Sequence, residues 1–269
     1  MREEKICIIG AGNMGEALAG GIITGGLARA GDITVHDIRK ERLGHFRDTL
    51  HVGVSEDLTA AVGGSATIIL AVKPQNMEEV LKDMADAASG KLIISIAAGV
   101  TLGFMEKILG EETRVIRVMP NTPALIGEGA AALAGGRNAT ERDIAAARRI
   151  FDSVGMSVVV EEKLIDAVTG LSGSGPAYGF IIIDALAQAG VNQGLEGGTA
   201  LKLAAQTMLG AARLCLNSGK TPAQLTDMVT SPGGTTIEGI KVLKAGKIEE
   251  TLAAAVDAAT RKSKELRGK

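Results

Sequence analysis

The fold of this chain is decided near its beginning, by the segment Lys5-Ile6-Cys7-Ile8-Ile9-Gly10-Ala11-Gly12-Asn13-Met14-Gly15. Its first five residues have the apolar, β-branched character of a short strand. Apolar residues then recur at helical spacing, at Ala17, Leu18 and Ile22. A Gly-x-Gly-x-x-Gly sequence between a strand and a helix is typical of dinucleotide binding, because its glycines permit a tight turn and close approach of a pyrophosphate. The segment therefore predicts a nucleotide-binding turn.

An acidic residue at the expected distance supports this interpretation. A second predicted strand, Ile33–His36, ends at Asp37, which follows Gly15 by 22 residues. In dinucleotide-binding folds, the acid that bonds the ribose lies about 20 residues beyond the glycines. This spacing favours a nucleotide site over a glycine-rich packing turn without a ligand. The residues expected to bind the cofactor here are Ile9, Gly10, Ala11, Gly12, Asn13, Met14, Gly15, Asp37 and Arg39.

The composition argues against nucleic-acid and membrane partners. Apolar residues make up 46% of the 269 residues, aromatic residues only 2%, and the formal net charge is −2. The chain therefore lacks both the basic excess of a nucleic-acid surface and the rings that stack on single-stranded bases. The longest uncharged stretch, residues 167–183, contains four glycines and a proline, which is not the pattern of a membrane span.

The two cysteines, Cys7 and Cys215, give no disulfide framework, and we expect both to be buried thiols. A reducing cytosol is therefore the expected compartment. The first residues lead directly into a strand and lack the pattern of a signal peptide. We expect a cytoplasmic protein without a metal site.

Short β-branched runs alternate with helical patterns over the first part of the chain, which predicts a doubly wound, mainly parallel sheet of the Rossmann type. Helices are expected between the strands, for example Gln75–Ala87 and Glu141–Phe151, the second after a Thr140-x-x-Asp143 cap. The predicted strands are Lys5–Ile9, Ile33–His36, Thr67–Leu70, Leu92–Ile96, Arg114–Met119 and Met156–Val160.

Strand signals stop after about Lys163, so we expect a dinucleotide-binding domain over residues 1–162 and an all-α dimerisation and substrate domain over residues 163–269. Glycine- and alanine-rich faces suggest helices that pack closely, and we expect a second subunit as one packing partner. The predicted helices are Lys163–Gly170, Pro176–Val191, Gly197–Asn217, Pro222–Met228, Thr236–Ala245 and Ile248–Leu266.

Three short segments follow predicted strands and should line the cofactor. Ligands of an open parallel sheet lie at the carboxyl ends of its strands. Small residues and prolines there would form a backbone wall with room for a flat ring. The residues expected in this wall are Ala71, Val72, Lys73, Pro74, Ala97, Ala98, Pro120 and Asn121.

A second site is indicated by Ser231-Pro232-Gly233-Gly234-Thr235-Thr236. Thr235 and Glu238 have the spacing of a capping box, so a helix should begin here. The preceding glycines and proline allow a sharp turn with no side chain in the way. The free N–H groups and positive dipole end of the helix would then form a socket for a small anion.

The positions of the histidines bear on the chemistry. All three lie between residues 36 and 51, within the nucleotide half. Reduction of a carbonyl creates an alkoxide that usually needs a general acid such as His or Lys. Reduction of an already protonated imine does not. A cofactor site, an anion socket and no obvious acid favour C=N over C=O reduction, although Lys202 stays available as an acid.

Three further strings make the chain resemble the pyrroline-5-carboxylate reductase family. They are Gly173-Ser174-Gly175-Pro176-Ala177-Tyr178, the Met119–Ala124 run, and Asp227-Met228-Val229-Thr230 leading into Ser231–Thr236. Together with the glycine turn they occur in the right order over essentially the whole chain. The resemblance implies reduction of 1-pyrroline-5-carboxylate, a small cyclic imine acid, to L-proline by hydride from NADPH or NADH.

The resemblance also implies roles for individual residues. Ser231 and the N–H groups of Gly234 and Thr235 would hold the substrate carboxylate, with Gly233 in the same loop. Thr236 would be catalytic, because its hydroxyl would bond and orient the imine nitrogen. Glu162 resembles a family acid near the ring, although a charged run such as Glu161-Glu162-Lys163 is usually solvated surface. Family members form homodimers, often assembled into decamers, and Tyr178 is expected to pack in the dimer core.

Two positions depart from the family pattern. Asp37 stands where the family often has Ser or Asn, and an acid there favours the ribose hydroxyls of NADH. Basic residues just beyond it, Arg39, Lys40 and Arg42, offer a site for the 2′-phosphate of NADPH. We expect NADPH, with NADH as the alternative. Gly219 stands where some relatives carry an acid, so one substrate contact is missing.

Two alternative functions fit parts of the sequence. β-Hydroxyacid dehydrogenases have a similar two-domain plan but place a catalytic lysine four residues after a glycine at the start of the helical domain. No lysine occurs between Lys163 and Lys202. A non-catalytic redox sensor would bind the nucleotide but would have no need of the anion socket at residues 231–236.

Overall fold

The computed structural model describes residues 5–110 and 112–267. The predicted domains also include residues 1–4, Glu111 and residues 268–269, which lie outside the described residues. Within these ranges eight strands form one sheet in the order β3-β2-β1-β4-β5-β6-β7-β8. The strands are β1 (Ile6–Ile9), β2 (Ile33–His36), β3 (Gly53–Ser55), β4 (Thr67–Leu70), β5 (Leu92–Ser95), β6 (Arg114–Met119), β7 (Gly129–Gly135) and β8 (Gly155–Val159).

The predicted doubly wound sheet is confirmed. Each neighbouring pair is parallel except β6 and β7, which are antiparallel. The order 3-2-1-4-5-6 of the first six strands is that of dinucleotide-binding sheets, with the crevice at the point where the order reverses. Strands β1 and β4 are paired in register, so Ile9 lies opposite Leu70 and the loops after both strands emerge side by side.

Both faces of the sheet are covered, because successive residues of a strand point to opposite sides. Ile8 and Ile69 belong to the core on one face, whereas Cys7 and Ile68 belong to the core on the other. All four are fully buried. Burial raises the pKa of the Cys7 thiol to about 12, so this cysteine acts as an apolar core residue. The continuous apolar runs of the sequence are explained by this two-sided burial.

Helices cover the sheet and then form the later part of the chain. They are α1 (Asn13–Thr24), α2 (Lys40–Leu50), α3 (Leu58–Gly63), α4 (Met77–Met84), α5 (Leu102–Leu109), α6 (Glu141–Asp152), α7 (Ile165–Val168), α8 (Gly175–Asn192), α9 (Gly197–Asn217), α10 (Pro222–Met228), α11 (Thr235–Ala245) and α12 (Ile248–Leu266). Short 3-10 turns lie at Ala30–Asp32, Pro74–Asn76, Asp86–Ala88, Thr122–Ile126 and Glu162–Leu164, and a π-helical turn at Thr169–Gly173.

Two strands were not predicted. β3 has only three residues, and β7 has the sequence Gly-Ala-Ala-Ala-Leu-Ala-Gly, whose alanines favour a helix in isolation. β7 is nevertheless extended because it pairs with β6 on one side and β8 on the other. Two predicted helices are also shorter: Gln75–Ala87 is α4 between two 3-10 turns, and Lys163–Gly170 contains only α7 between a 3-10 and a π-helical turn.

The chain divides into two compact units. The first contains the sheet, runs to Ser174 and resumes at Asp257, and the second is Gly175–Val256. The predicted domain boundary at residue 162 therefore lies twelve residues before this division. Helix α12 begins in the second unit and its last residues belong to the first.

The second unit has a very small core. Its buried apolar residues within the described ranges are Ala187, Ala200, Ala204 and Leu225. Phe180 and Leu216, by contrast, are 66% and 77% exposed. Cys215, expected to be buried, is also exposed, because it lies on a face of α9 that this chain leaves open. None of the helices in the described ranges combines the length and apolar character needed to cross a bilayer.

Asp143 is expected to stabilise the first unit strongly. The predicted Thr140 cap of α6 is a complete capping box, and the Asp143 carboxylate also accepts from Arg114 Nη1 at 2.6 Å. Burial acts to raise the pKa of Asp143, but the bonds from Thr140 and Arg114 outweigh it and the pKa is lowered. Asp143→Ala should reduce the free energy of unfolding by about 2 kcal/mol, measured by urea denaturation at pH 7.

The stability that Asp143 contributes should depend on pH. A carboxyl whose pKa is lowered by folding stabilises the protein above its ordinary pKa and loses that contribution as pH falls. The difference between wild type and Asp143→Ala should therefore shrink below about pH 4. Glu78→Ala, which removes an exposed pair with Lys82, is the control and should leave the unfolding midpoint unchanged. Equal midpoints for Asp143→Ala and wild type at pH 7 would contradict the prediction.

Candidate active site

The glycine turn after β1 is held by backbone contacts that exclude side chains. Gly10 has φ 110°, and a Cβ there would lie 2.5 Å from Ala71 O. A Cβ on Gly15 would lie 2.3 Å from Gly10 O. The Gly10 N–H donates to His36 O at 2.8 Å, and Ala71 N–H donates to Ile9 O at 2.8 Å. These two glycines thus let the backbones of β1, β4 and α1 come into direct contact, as a dinucleotide turn requires.

The N-terminus of α1 is open to a ligand. Its N-cap is Gly12, which supplies no side-chain cap, and no atom lies within 4 Å of the position a Gly12 Cβ would take. The first N–H groups of a helix have no partner within the helix, and its dipole is positive there. Asn13 and Met14 begin the helix at this point. The predicted pyrophosphate-binding residues are therefore brought together with room for an anion.

Asp37 lies at the end of β2 beside this turn, with both carboxylate oxygens occupied. Oδ2 accepts from Ala11 N–H at 2.7 Å and from Arg39 Nη2 at 2.9 Å. Oδ1 accepts from the backbone N–H and the Nε of Arg39, both at 2.9 Å. Burial acts to raise the pKa of Asp37, but the hydrogen bonds from Arg39 and Ala11 outweigh it and lower the pKa. Arg39 thus covers the acid predicted to bind ribose.

Arg42 is a further basic residue at the turn. Its Nε donates to Ala11 O at 2.7 Å, and its Nη2 pairs with Glu16 at 2.7 Å. Glu16 also contacts His45 Nε2 at 2.7 Å, and this hydrogen bond, with Arg42, lowers the pKa of Glu16. From the sequence, Arg42 was predicted only as a phosphate ligand. Its contacts in the structure tie α2 to the glycine turn.

The three predicted wall segments all lie at the carboxyl edge of the sheet. Ala71–Pro74 follows β4, Ala97–Ala98 follows β5, and Pro120–Asn121 follows β6. The Asn121 side chain is engaged, because Nδ2 donates to Ser172 O at 3.0 Å and Oδ1 accepts from Ala130 N–H at 2.8 Å. Asn121 therefore holds the loop in shape.

Glu162 is not part of a solvated charge run. Its Oε1 accepts from Leu102 N–H at 2.7 Å and pairs with Arg117 Nη1 at 3.1 Å. Arg117 is only 2% exposed, in the middle of β6, and burial lowers its pKa while Glu162 opposes that effect. Arg117 was missed in the sequence. The available signal was a charged residue within the otherwise apolar run Arg114–Met119.

In the second unit, residues 231–234 form the predicted sharp turn. The Gly234 N–H donates to Ser231 O at 2.9 Å, and Gly233 has φ 72°. Pro at the second position and a positive φ at the third are the features of a type II turn. A Cβ on Gly234 would lie 2.4 Å from Ser231 Oγ, so the glycine lets that hydroxyl sit against the helix start.

The predicted capping box at this turn is wrong. Helix α11 begins at Thr235 with Gly234 as its N-cap and no side-chain cap, and Glu238 pairs with Lys241 at 2.7 Å instead. Thr235 is inside the helix, because the type II turn makes Gly234 the last non-helical residue. The Gly234 N–H, expected to hold an anion, is used by the turn. The uncapped N–H groups that follow, from Thr235 onward, are still available.

The predicted site residues are therefore held in two separate groups. The cofactor residues and Glu162 belong to the unit with the sheet, and Ser231, Gly233, Gly234, Thr235 and Thr236 belong to the second unit. Across residues 5–110 and 112–267, no group of three or more His, Cys, Asp or Glu side chains is arranged to hold a metal ion.

Two family models match successive parts of the chain. Residues 162–266 match the family model described as pyrroline-5-carboxylate reductase dimerisation, and residues 5–99 match the model described as NADP oxidoreductase, coenzyme F420-dependent. The first match supports formation of a homo-oligomer through the helical part. Pyrroline-5-carboxylate reductase from Methanosarcina acetivorans is 48% identical over 99% of both chains.

Two solved structures share the whole architecture. A pyrroline-5-carboxylate reductase from Coxiella burnetii is 36% identical over 100% of both chains, with a TM-score of 0.96. The Plasmodium falciparum pyrroline carboxylate reductase, solved with NADP bound, is 32% identical over 99% of both chains, with a TM-score of 0.88. With relatives of this identity matching over its full length, the chain belongs to the pyrroline-5-carboxylate reductase family.

Proposed function

We propose that this protein reduces 1-pyrroline-5-carboxylate to L-proline, the final step of proline biosynthesis, with NADPH as the hydride donor. The observation that carries the proposal is the Ser231–Gly234 turn, which opens an uncapped helix N-terminus in a chain that also has an uncapped nucleotide turn at Gly12. A cyclic imine acid has one carboxylate, and a helix N-terminus of this kind is suited to it.

The residues at the sheet edge fit a nicotinamide dinucleotide. The Gly10–Gly15 turn would hold the pyrophosphate through N–H groups of α1, and the loops Ala71–Pro74, Ala97–Ala98 and Pro120–Asn121 would form the wall beside the ring. When bound, NADPH supplies a hydride. Every remaining task falls to residues of the chain: binding the carboxylate, orienting the imine and excluding water.

We assign the substrate contacts to the second unit. The Ser231 hydroxyl and the N–H groups from Thr235 onward bind the carboxylate, while Gly233 and Gly234 leave the approach free of side chains. The protonated imine donates its N–H to the Thr236 hydroxyl oxygen, which fixes the ring. As a hydride adds to the imine carbon, the C=N π electrons move to nitrogen, and the product amine forms without a further proton. No histidine is needed for this step.

Glu162 is proposed to lie near the substrate ring as well. The contacts of its carboxylate with Leu102 and Arg117 both use Oε1. A carboxylate has about four acceptor sites on its two oxygens, so these contacts leave capacity on Oε2. The negative charge would stabilise a protonated imine.

The exposed apolar faces of the second unit support association with another copy of the chain. We propose a homodimer built through residues 163–269, assembled further into a decamer, with residues 1–162 binding the cofactor. Phe180, Ile181 and Val242 are all more than 60% exposed in the single chain, which is a surface suited to burial against another copy. Free cysteines at positions 7 and 215 support a cytoplasmic location.

NADPH is proposed as the preferred cofactor because Asp37 is covered. To bind the ribose hydroxyls of NADH, this carboxylate would have to exchange the bidentate Arg39 pair for two neutral donors. A 2′-phosphate would instead contact the Arg39 guanidinium, which is half exposed. The negative charge of Asp37 would oppose this phosphate little, because Arg39 already balances it.

The reaction is tested directly by absorbance of the reduced cofactor with 1-pyrroline-5-carboxylate. NADPH oxidation with stoichiometric formation of proline is expected, and at a higher kcat/KM than with NADH. Tight nucleotide binding without turnover would favour the redox-sensor alternative. Turnover only with 3-hydroxy acids and the oxidised cofactor would favour a β-hydroxyacid dehydrogenase.

Thr236→Ala should lower kcat by roughly ten- to a thousandfold, because orientation and electrostatics supply most of the rate. The dissociation constant for NADPH should be unchanged. Thr236→Ser keeps the hydroxyl and should retain most of the activity. The matched control is Thr251→Ala on α12, whose exposed hydroxyl donates to Lys247 O. Wild-type turnover in Thr236→Ala would remove Thr236 from the mechanism.

Arg39→Ala should reverse the cofactor preference. Loss of the guanidinium removes the expected phosphate contact and uncovers Asp37 for ribose hydroxyls. The ratio of kcat/KM for NADPH to that for NADH should fall by at least about tenfold. Arg47→Ala on the same helix removes an exposed pair with Asp48 and serves as control. An unchanged ratio in Arg39→Ala would mean that other residues determine the preference between NADPH and NADH.

A further inference from the structure

A buried carboxylate far from the glycine turn joins the end of the chain to the sheet unit. Asp166 on α7 is fully buried. Its Oδ1 accepts from Ser263 Oγ at 2.7 Å, and its Oδ2 pairs with Arg267 Nη2. Both partners come from the C-terminal segment, and all three residues belong to the same compact unit. We refer to Asp166, Ser263 and Arg267 as the C-terminal clamp.

The clamp has to be formed in the folded protein. A buried carboxylate without partners costs several kcal/mol, so Asp166 strongly favours the conformation in which Ser263 and Arg267 contact it. These two residues bracket the last turn of α12. The position of that turn on the sheet unit is therefore set by Asp166.

The last turn of α12 lies against the loop after β5. A Cβ on Gly99 would be 3.1 Å from Leu266 O, and Gly99 has φ 78°, so only glycine fits this contact without strain. Gly99 directly follows Ala97 and Ala98, two residues of the proposed cofactor wall. The backbone of the wall is thus in contact with the end of the chain.

The far end of the loop after β5 is held by the stretch that contains Glu162 and Asp166. Leu102, the first residue of α5, donates its N–H to Glu162 Oε1 at 2.7 Å, and Glu162 is anchored by the buried Arg117. Glu162 and Asp166 lie on consecutive turns of one short stretch. Two carboxylates of this stretch therefore hold the loop between residues 97 and 102. Glu162 bonds Leu102 directly, and Asp166 acts through the last turn of α12.

We propose that Asp166, Ser263 and Arg267 are positioning residues for the cofactor wall: by clamping the end of α12 against Gly99, they set the affinity for the nicotinamide cofactor. This inference rests on the proposed function, because it takes the loop after β5 as part of the cofactor site. The clamp residues touch neither cofactor nor substrate. They act through the backbone at Gly99.

The clamp is tested in the full-length protein with Ser263→Ala and Arg267→Met. Arg261→Ala is the matched control, because Arg261 lies on the same helix and pairs with Asp257 at the surface. The dissociation constant for NADPH, from the fluorescence of the nucleotide, should rise about tenfold in each clamp variant. The kcat at saturating NADPH and the KM for 1-pyrroline-5-carboxylate should stay within about twofold of wild type. Arg267→Lys keeps the charge and should recover most of the affinity.

Amide hydrogen exchange of the protein without nucleotide provides a second readout. Exchange should quicken in the peptide that covers residues 97–104 and stay unchanged in the peptide that covers residues 70–76. A role in stability alone would lower the unfolding temperature of the clamp variants and leave the dissociation constant unchanged, which would overturn the proposal. So would faster exchange at residues 97–104 with unchanged affinity. A wild-type protein that bound neither NADPH nor NADH would refute the proposed function itself.

Discussion

The contact of backbone with backbone at the end of β1 is the constraint on which the nucleotide half depends. Gly10 approaches Ala71 O and Gly15 approaches Gly10 O at distances that no Cβ would allow. Because the strand ends and α1 meet so closely, the N-terminus of α1 lies at the carboxyl edge of the sheet. The loops after β4, β5 and β6 emerge at that same edge. A larger side chain at either glycine would separate the elements that form the site.

The helix starts differ in how their first N–H groups are capped. Helices α5, α6 and α10 begin with a threonine whose side chain accepts a backbone N–H. Helices α1 and α11 begin with glycine and have no side-chain cap. A cap satisfies N–H groups that a bound anion would otherwise need. The two glycine-capped helices are the two that the proposed function assigns to the pyrophosphate and to the substrate carboxylate.

Charge in the sheet unit is compensated locally. Asp37 is balanced by Arg39, Glu16 by Arg42, and the buried Arg117 by Glu162. The Glu16–Arg42 pair also joins α1 to α2, and the Arg117–Glu162 pair joins β6 to the 3-10 turn at Glu162–Leu164. An anionic cofactor at the glycine turn would therefore meet the half-exposed Arg39 guanidinium, and the Asp37 carboxylate behind it is already paired. The second unit differs, since its helices expose large apolar side chains in the single chain.

Local sequence determined most of the fold and the identity of the candidate site residues. Apolar runs and glycine spacing are short-range signals, so β1, β2, β4 and β6 were predicted to within one residue, as were α9 to α12. Tertiary structure alone decided the alanine-rich β7, because its pairing with β6 and β8 outweighs helical propensity. It also decided the pairing of Asp166 with Ser263 and Arg267, which lie 97 and 101 positions further along the chain. Such contacts depend on which surfaces meet after folding, and no local pattern records that.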